Sequence, residues 1–386
     1  MSSNIKLTIY TKILECSIFY FVLMNSLLKN NISISIINLS RILIFLVLGL
    51  ALVWNVFFYQ DLNAKLKLLV LALIMILLFF INASQFSYLI FFAMYCLFIK
   101  PYKVIKLYFN GILYGIVIVV LLSLTNFIPK QQGNLWVFGF PNPNIIGFLV
   151  VAELLSYFIL KWYRINFFDF IVFLLCIFFE KKILSDDTAV IVLLIFLTTY
   201  MVSKNPKLFL LVRKLTLIAP IFLLAFSWFL ASYYGKYNWI YRLSNFLTYR
   251  PEIWHDYLEI YGVHLLPSRM TILFATDFQK LFYGGNLPRL YAGFDTSYMY
   301  LLLSGGLIIS LFIIFILSNF VYRVKDNPAF ICYSLALFIF GFTETPVLTP
   351  LGYYQNALLM IALAGFIDHS YFKTICRVKN VRKLQE

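Results

Sequence analysis

Charged residues are scarce in this chain. Only 12% of its 386 residues are Asp, Glu, Lys or Arg, which is about half the fraction found in soluble globular proteins. Hydrophobic residues make up 62%, and the mean hydropathy is +0.89. Apolar runs long enough to span a bilayer recur from one end of the chain to the other. The composition excludes an ordinary soluble domain and predicts an all-α, polytopic integral membrane protein.

Several motifs of metal and nucleotide chemistry are absent. The five cysteines are scattered, with no CxxC spacing, so we predict neither a disulfide framework nor a metal site from them. The sequence has no glycine-rich phosphate loop, no D-x-D pair and no H-x-x-x-H. These absences argue against chemistry driven by ATP or by a nucleotide sugar held through a metal. We therefore expect no cofactor and no metal.

Basic residues outnumber acidic ones and give a formal net charge of +15. In a soluble chain this would suggest a nucleic-acid partner, but in membrane proteins Lys and Arg collect in short cytoplasmic loops, so we expect no nucleic acid. With the N-terminus inside, 20 of the 31 basic residues fall in cytoplasmic segments. The bias predicts cytoplasmic termini and an outer location for the long loop 233–294. The candidate spans are 11–28, 42–59, 66–82, 86–99, 107–128, 144–160, 167–180, 188–203, 215–234, 296–320, 328–345 and 354–367.

The loop 233–294 is the one long segment that is not predominantly apolar. A polar loop of this length, inserted once between spans of a single membrane domain, is a natural seat of chemistry. Arginine forms bidentate bonds to phosphates, and the loop offers four candidates for binding a pyrophosphate. They are Arg242, Arg250, Arg269 and Arg289.

A short amphipathic helix is predicted over 251–262, with proline at its first position and glycine just past its end. Arg250 would then lie at the helix N-terminus, where free backbone N–H groups already favour an anion. The alternative is that Arg242 and Arg250 neutralise lipid phosphates or pair with Glu252 and Asp256. Aromatic residues at helical spacing predict that the helix lies on the membrane surface with that face down and with Asp256 on the polar face.

Three residues are candidates for a general base. His255 is a candidate because imidazole is the commonest general base in enzymes, although a solvated surface role is the alternative. Asp295 lies where the loop returns to the membrane, and it either does chemistry or caps the next helix. Glu344, like Glu153, is a carboxylate at membrane depth, where such groups line internal cavities. We interpret the adjacent pair at 186–187 as a solvated turn.

Taken in order, several short motifs resemble the Wzy family of polysaccharide repeat-unit polymerases, which is grouped with the O-antigen ligases. The nearest members are the Gram-positive capsule and exopolysaccharide polymerases. The motifs are NPNIIG (142–147), LS (243–244), LTYR (247–250), IW (253–254), YGVHLL (261–266), DTSY (295–298) and LLLSGG (301–306).

The resemblance implies a GT-C-like bundle of about twelve spans in the plasma membrane. Its reaction, at the outer face, transfers a glycan from undecaprenyl pyrophosphate to a hydroxyl of the next lipid-linked repeat unit and releases undecaprenyl pyrophosphate. Arg250 matches the arginine that contacts the lipid pyrophosphate, and Asp295 lies where related ligases place a His-Asn pair. The implied partners are the lipid-linked oligosaccharide, membrane lipid, a flippase and a chain-length regulator.

Three other functions remain open. A ligase with the same fold would move the glycan to another acceptor. A flippase or secondary transporter would carry charged or broken helices near mid-membrane in both halves of the chain. A non-catalytic assembly scaffold would tolerate the loss of Arg250 and Asp295.

Overall fold

The computed structural model is helical apart from one short hairpin. It describes residues 62–81, 83–132, 135–140, 143–272, 294–349 and 356–376, together with scattered positions between 12 and 54. Most of the first two predicted spans and residues 273–293 of the long loop lie outside these ranges, and the predicted pyrophosphate ligand Arg289 lies outside them too.

Thirteen helices follow one another through the described residues. They are α1 (Leu62–Phe80), α2 (Ser84–Cys96), α3 (Pro101–Leu124), α4 (Pro143–Lys161), α5 (Phe167–Phe179), α6 (Asp187–Val202), α7 (Pro206–Ser232), α8 (Asn238–Phe246), α9 (Arg250–Tyr261), α10 (Ser297–Arg323), α11 (Pro328–Thr343), α12 (Leu358–Ile367) and α13 (Ser370–Cys376). A π-helical turn, Glu180–Leu184, joins α5 to α6, and strands β1 (Gln131–Gln132) and β2 (Leu135–Trp136) pair antiparallel between α3 and α4.

Four of these helices, α3, α4, α7 and α10, are long and apolar enough to cross a membrane. Three shorter apolar helices, α6, α11 and α12, lie among them. Ten of the twelve predicted spans coincide with α1–α7 and α10–α12. The prediction of a helical membrane protein is confirmed at this level, and the full count of twelve spans stays a prediction.

Asparagine followed by proline starts two of the apolar helices. Proline at the first helical position loses no hydrogen bond, because that N–H has no partner inside the helix. The preceding asparagine accepts a backbone N–H and so caps the first turn. Asn205 accepts from Lys207 N at 3.0 Å at the start of α7, and Asn327 accepts from Phe330 N at 3.4 Å at the start of α11.

The core lies where α11 packs against α4, α6 and α7, α10 packs against α7 and α11, and α12 packs against α2 and α10. Side chains of α11 are almost all buried. By contrast, one face of α7 leaves Leu211, Leu215, Ile218 and Phe222 more than half exposed. Exposing this much apolar surface to water costs free energy, so the outer helices are suited to the hydrocarbon core of a bilayer.

Helix α10 is broken at Gly306, whose φ of 68° and ψ of 176° are not helical. A break removes hydrogen bonds within the helix, and backbone groups at membrane depth must find other partners. The loop segment 264–268 supplies them. Its bonds are Leu307 N to His264 O at 2.9 Å, Ile308 N to Leu265 O at 3.2 Å and Ser268 N to Ser304 O at 3.1 Å.

Candidate functional site

Arg250 is the first residue of α9, where the sequence predicts a helix start, and it follows a tight turn from α8. Thr248 and Tyr249 both adopt positive φ, 54° and 62°, which is uncommon for residues other than glycine and is found at functional sites. The turn directs the Arg250 side chain inward, where only 10% of it is exposed. Its Nη1 donates to Thr248 Oγ1 at 2.9 Å and its Nη2 donates to Glu344 Oε1 at 3.2 Å.

Asp295 completes this group, with its Oδ2 at 3.9 Å from Arg250 Nη2. The carboxylates come from distant parts of the sequence, and Glu344 lies 94 residues from Arg250. The structure therefore brings together Arg250, Asp295 and Glu344. The expected alternative, local pairing of Arg250 with Glu252 and Asp256, is not the arrangement observed.

A hydrogen-bonded clamp holds Asp295 beside Glu344. The Ser297 hydroxyl donates to Glu344 O at 2.7 Å, and Thr296 N donates to Thr345 Oγ1 at 3.0 Å. The indole Nε1 of Trp254 donates to Asp295 O at 3.2 Å and so links α9 to the segment just before α10. The N-cap of α10 is Thr296, so Asp295 does not cap that helix.

Asp186 belongs to the same site, which the sequence analysis missed. It is only 6% exposed, and its Oδ1 caps α6 by accepting from Ala189 N at 3.0 Å. The prediction of a solvated turn is wrong for Asp186 and holds for Asp187, which is exposed and pairs with Lys181. The sequence does not distinguish Asp186 from Asp187. In the structure Asp186 is the N-cap of α6, and this capping geometry directs its side chain into the protein.

Glu180 is buried next to Asp186. A Cβ built on Gly147 would lie 2.7 Å from Glu180 Oε2 and 2.9 Å from Asp186 Oδ2. Both carboxyl groups therefore lie beside a backbone position that has room only for glycine. Glu180 is 0% exposed, and neither of its side-chain oxygens has a hydrogen-bond partner among the described residues.

Burial raises the pKa values of two acids of the site, Asp186 and Asp295. Burial raises the pKa of Asp186, and the nearby charge of Arg250 partly offsets this. Burial likewise raises the pKa of Asp295, Arg250 lowers it, and Asp186 raises it further. The guanidinium of Arg250 is therefore hydrogen-bonded to Glu344 and interacts with the charges of Asp186 and Asp295. Such a cluster is tolerable in a buried place only when some members keep their protons.

Arg250 has a buried donor without a partner among the described residues. Its Nε–H is buried and has no hydrogen-bond partner in the part of the chain that the structure describes. A buried N–H without a partner costs free energy, so its presence at a helix N-terminus indicates a place for a ligand acceptor.

The two other predicted arginines that the structure describes are not brought into this site. Arg242 is exposed on α8, and Arg269 is exposed in the segment after α9. Of the three described arginines in the loop, the structure places one, Arg250, among the acids. The signal that distinguishes Arg250 is its position at the start of a helix.

His255 lies on another face of α9, against the end of α7. Its Nδ1 is 2.8 Å from Ala231 O, its Nε2 is 3.4 Å from Glu259 Oε1, and its ring lies 5.7 Å from the ring of Tyr234. Because a carbonyl oxygen only accepts, Nδ1 carries the hydrogen. His255 thus fastens α9 to α7, and this structure does not bring it to Arg250.

The aromatic face of α9 packs into the protein. Trp254 is 0% exposed and lies edge-on to Phe342, while Tyr257 packs against Phe294. The prediction that this face lies on the membrane is therefore wrong. Asp256, expected on the polar face, is buried as well, and burial raises its pKa to about 7.

Within the described residues, no group of three or more His, Cys, Asp or Glu side chains has a geometry that could hold a metal ion. No family model, curated protein or solved structure matches this chain. The likeness to the Wzy family therefore rests on the sequence motifs alone, and the chemistry of the site has to be argued from its geometry.

Proposed function

We propose that this chain is a membrane glycosyltransferase that polymerises oligosaccharide repeat units carried on undecaprenyl pyrophosphate. The observation that carries the proposal is Arg250, a buried guanidinium at a helix N-terminus whose Nε–H has no partner among the described residues, with Asp295 at 3.9 Å. A guanidinium at a helix N-terminus suits a diphosphate. A carboxylate beside it suits the hydroxyl that must lose its proton.

The proposed reaction requires only two contributions from the protein. Pyrophosphate is already a good leaving group, so the enzyme must stabilise its developing charge and accept one proton. In this proposal Arg250 contacts the pyrophosphate and Asp295 accepts the proton of the acceptor hydroxyl. Glu344, closer to Arg250 at 3.2 Å, holds the guanidinium in place.

The pyrophosphate would displace Asp295 from Arg250 and leave Glu344 bound. The Arg250–Asp295 contact, at 3.9 Å, is longer than a hydrogen bond, and 37% of the Asp295 side chain is exposed. Glu344 is hydrogen-bonded and only 9% exposed. Breaking the weaker contact frees Asp295 for the acceptor hydroxyl at the moment the donor binds.

The proposal includes a GT-C-like bundle in the plasma membrane with cytoplasmic termini and the site at the outer face. The starts of α4, α6 and α10 and the ends of α5 and α11 all contribute to the site. The alternation of these helix ends agrees with spans that cross the membrane in turn. It also agrees with the orientation that the basic residues favour.

The direct test supplies purified protein with one defined lipid-linked repeat unit and resolves the products on a gel. We expect a ladder of polymer from the wild type and none from Arg250→Ala at equal protein abundance. Arg242→Ala, an exposed arginine on α8, is the matched control and should leave the ladder unchanged. A normal ladder from Arg250→Ala would defeat the assignment. Transfer to an unrelated acceptor in place of a ladder would indicate the ligase.

Metal dependence is tested in the same assay. We expect full activity after dialysis against EDTA, because a guanidinium can stabilise the leaving pyrophosphate without a metal. A strict requirement for a divalent cation, restored by adding Mg²⁺ or Mn²⁺ back, would contradict the proposed role of Arg250.

A proton-coupled transporter is the second candidate, and Glu153 favours it. Glu153 lies within α4 and is only 7% exposed. Carboxyl groups at such depth are typical of proton pathways. Proteoliposomes loaded with a lipid-linked repeat unit separate the two functions, because a transporter moves the unit across the bilayer and makes no ladder.

A further inference from the structure

Helix α8 has three chemically different sides. Ile240 and Ser244, one turn apart, are buried against the protein. Trp239 and Phe246, two turns apart and therefore on one side of the helix, are 48% and 75% exposed. The remaining side is exposed and mostly polar, with Asn238, Tyr241, Arg242 and Asn245. An exposed aromatic side next to a polar one is typical of a helix that lies in the membrane interface.

The exposed aromatic side of α8 continues the apolar face of α7. Ile218 and Phe222 on that face are both more than half exposed, and Phe229 follows Phe222 after two helical turns. The Trp239 ring stacks on the Phe229 ring, with 6.1 Å between the centroids and 18° between the planes. The surface that is suited to hydrocarbon therefore runs from α7 onto α8 without a polar interruption.

The residues between α7 and α8 have the composition of a membrane boundary. The Tyr233 ring lies 4.9 Å from the Phe229 ring and 5.8 Å from the Tyr237 ring, and the Lys236 ammonium lies 5.0 Å from the centre of the Tyr233 ring. Tyrosine rings and lysine stems are enriched where the hydrocarbon core meets the head groups. The boundary therefore passes through the segment that leads into α8, and the partner that fits the Trp239 side is the lipid of that leaflet.

The end of α8 is hydrogen-bonded to the start of α9. Tyr249 N donates to Ser244 O at 2.7 Å, and Arg250 N donates to Leu247 O at 3.2 Å. Thr248 has positive φ like Tyr249, so the turn has few alternative conformations. Arg250 therefore follows any movement of α8, and the depth of α8 sets the depth of the guanidinium.

We propose that α8 is anchored in the membrane interface by Trp239 and Phe246 and that this anchor holds Arg250 at the level of the lipid head groups. The anchoring itself is independent of the reaction. Its consequence for Arg250 rests on the proposed function, because a diphosphate attached to a polyprenyl lipid is presented at that level. Trp239 and Phe246 are positioning residues, and they act on Arg250 through α8 without touching the diphosphate.

The first experiment measures the depth of two adjacent positions in liposomes and needs no substrate. A nitroxide is attached to Phe246→Cys or to Asn245→Cys in a chain whose native cysteines are replaced by alanine. Power saturation then compares collisions with oxygen, which concentrates in the bilayer, and with a water-soluble nickel chelate. We expect the label at Phe246 to prefer oxygen and the label at Asn245 to prefer the chelate, because neighbouring residues of a helix point about 100° apart.

Two outcomes of this measurement would overturn the anchor. Preference for the chelate at both positions would place α8 in water, and protection of Phe246 from both reagents would show that protein covers it, either another segment or a second copy. A measurement with the native cysteines in place supports the same decision. Brominated lipids should quench part of the tryptophan fluorescence of the wild type, and Trp239→Phe should lose that part.

The second experiment measures polymer formation in liposomes and in detergent micelles. In liposomes we expect Trp239→Ser and Phe246→Ser to raise the KM for the lipid-linked repeat unit by about tenfold, with kcat close to that of the wild type because Arg250 and Asp295 are intact. Trp239→Phe and Phe246→Leu, which stay apolar, should restore the wild-type KM. Asn245→Ser, on the polar side, is the control and should not change it.

Micelles separate anchoring from folding. Because a micelle has no extended bilayer plane, the serine variants should match the wild type there. An equal rise of KM in micelles, or a wild-type KM for both serine variants in liposomes, would overturn the positioning of Arg250 by the membrane. A wild type that forms no polymer would instead count against the proposed function, and the nitroxide measurement would still decide whether α8 is anchored.

Discussion

Glu344 and Asp295 both face Arg250, but their geometry gives them different tasks. Glu344 is hydrogen-bonded to the guanidinium and buried, whereas Asp295 stands at 3.9 Å with a partly exposed side chain. Removing one partner of a buried ion pair leaves an uncompensated charge and costs about 3–5 kcal/mol. Loss of a longer, more exposed contact costs far less. One acid should therefore matter to stability and the other to turnover.

We accordingly expect Glu344→Gln to lower the melting temperature of the detergent-solubilised protein, because Arg250 loses its nearest counter-charge. Asp295→Asn should leave the melting temperature near that of the wild type and lower kcat by about a hundredfold, as expected for loss of a general base. Thermal unfolding and initial rates on the same preparations separate the two. Equal losses of stability in both variants would show that Asp295 is also structural.

Asp256 gives a pH dependence that is independent of catalysis. Burial raises its pKa from 3.8 to about 7, so between these values the folded protein binds a proton that the unfolded chain does not. Stability from this group is full below about pH 4 and is lost as pH rises through 7. The shift corresponds to at most about 4 kcal/mol at 1.36 kcal/mol per unit.

We therefore expect the melting temperature of the wild type to fall from pH 5 to pH 8 more steeply than that of Asp256→Asn. The neutral amide keeps the size of the side chain and cannot ionise. Asp326→Asn, a charge removal at an exposed position between α10 and α11, is the control and should keep the wild-type slope. A slope that Asp256→Asn leaves unaltered would assign the pH dependence to other groups.

At the scale of elements, the break in α10 shows how a loop is built into a helical bundle. Gly306 has positive φ, and a Cβ on it would lie 2.5 Å from Leu266 O, which is backbone and cannot move aside easily. The neighbouring Gly305 has ordinary helical geometry, and its Cβ would meet the end of the Phe86 side chain at 3.0 Å. The two glycines are adjacent in sequence, but an added methyl group would clash with backbone at Gly306 and only with a movable side chain at Gly305.

Gly306→Ala should separate the segment 264–268 from α10 and lower the melting temperature, because it combines a disfavoured φ with a backbone clash. Gly305→Ala should be tolerated with a small adjustment of Phe86. Limited proteolysis on the carboxyl side of Tyr261 gives a second measurement, with faster cleavage expected only in Gly306→Ala. Equal behaviour of the two variants would mean that the loop does not depend on the break.

At the scale of the whole molecule, the sequence predicted the apolar helices well because each span is defined by its own hydrophobicity and by local caps such as Asn327. It also predicted the start of α9 from Pro251. It could not predict the acid cluster. Glu180 and Asp186 carry no local signal of burial, and their partners come from α4 and α9 through contacts between distant segments. The burial of the aromatic face of α9 was missed for the same reason. Helical spacing shows which residues share a face, but it does not show whether that face packs against membrane or protein.

The orientation of the bundle in the membrane decides whether the site can bind its proposed substrate. The length of α7 makes this orientation testable, because its two ends must lie on opposite sides of the membrane. The helix has 27 residues, about 40 Å at 1.5 Å per residue, which exceeds a hydrocarbon core of about 30 Å. Lys207 is exposed at its start, and α9 is fastened to its end by His255 and Ala231. Cysteines placed at Lys207 and at Glu259 on α9 therefore report from opposite sides of the membrane.

We expect a membrane-impermeant maleimide applied to intact cells to label Glu259→Cys, which is 63% exposed, and to label Lys207→Cys only after the cells are permeabilised. The unsubstituted chain, with its native cysteines, gives the background. The physical reason is that basic residues before α7 stay in the cytosol, while the long α7 carries α8 and α9 across. The reverse pattern would put Arg250 and its acids in the cytosol. Polymerisation at the outer face would then be untenable, and transport would be the function to test first.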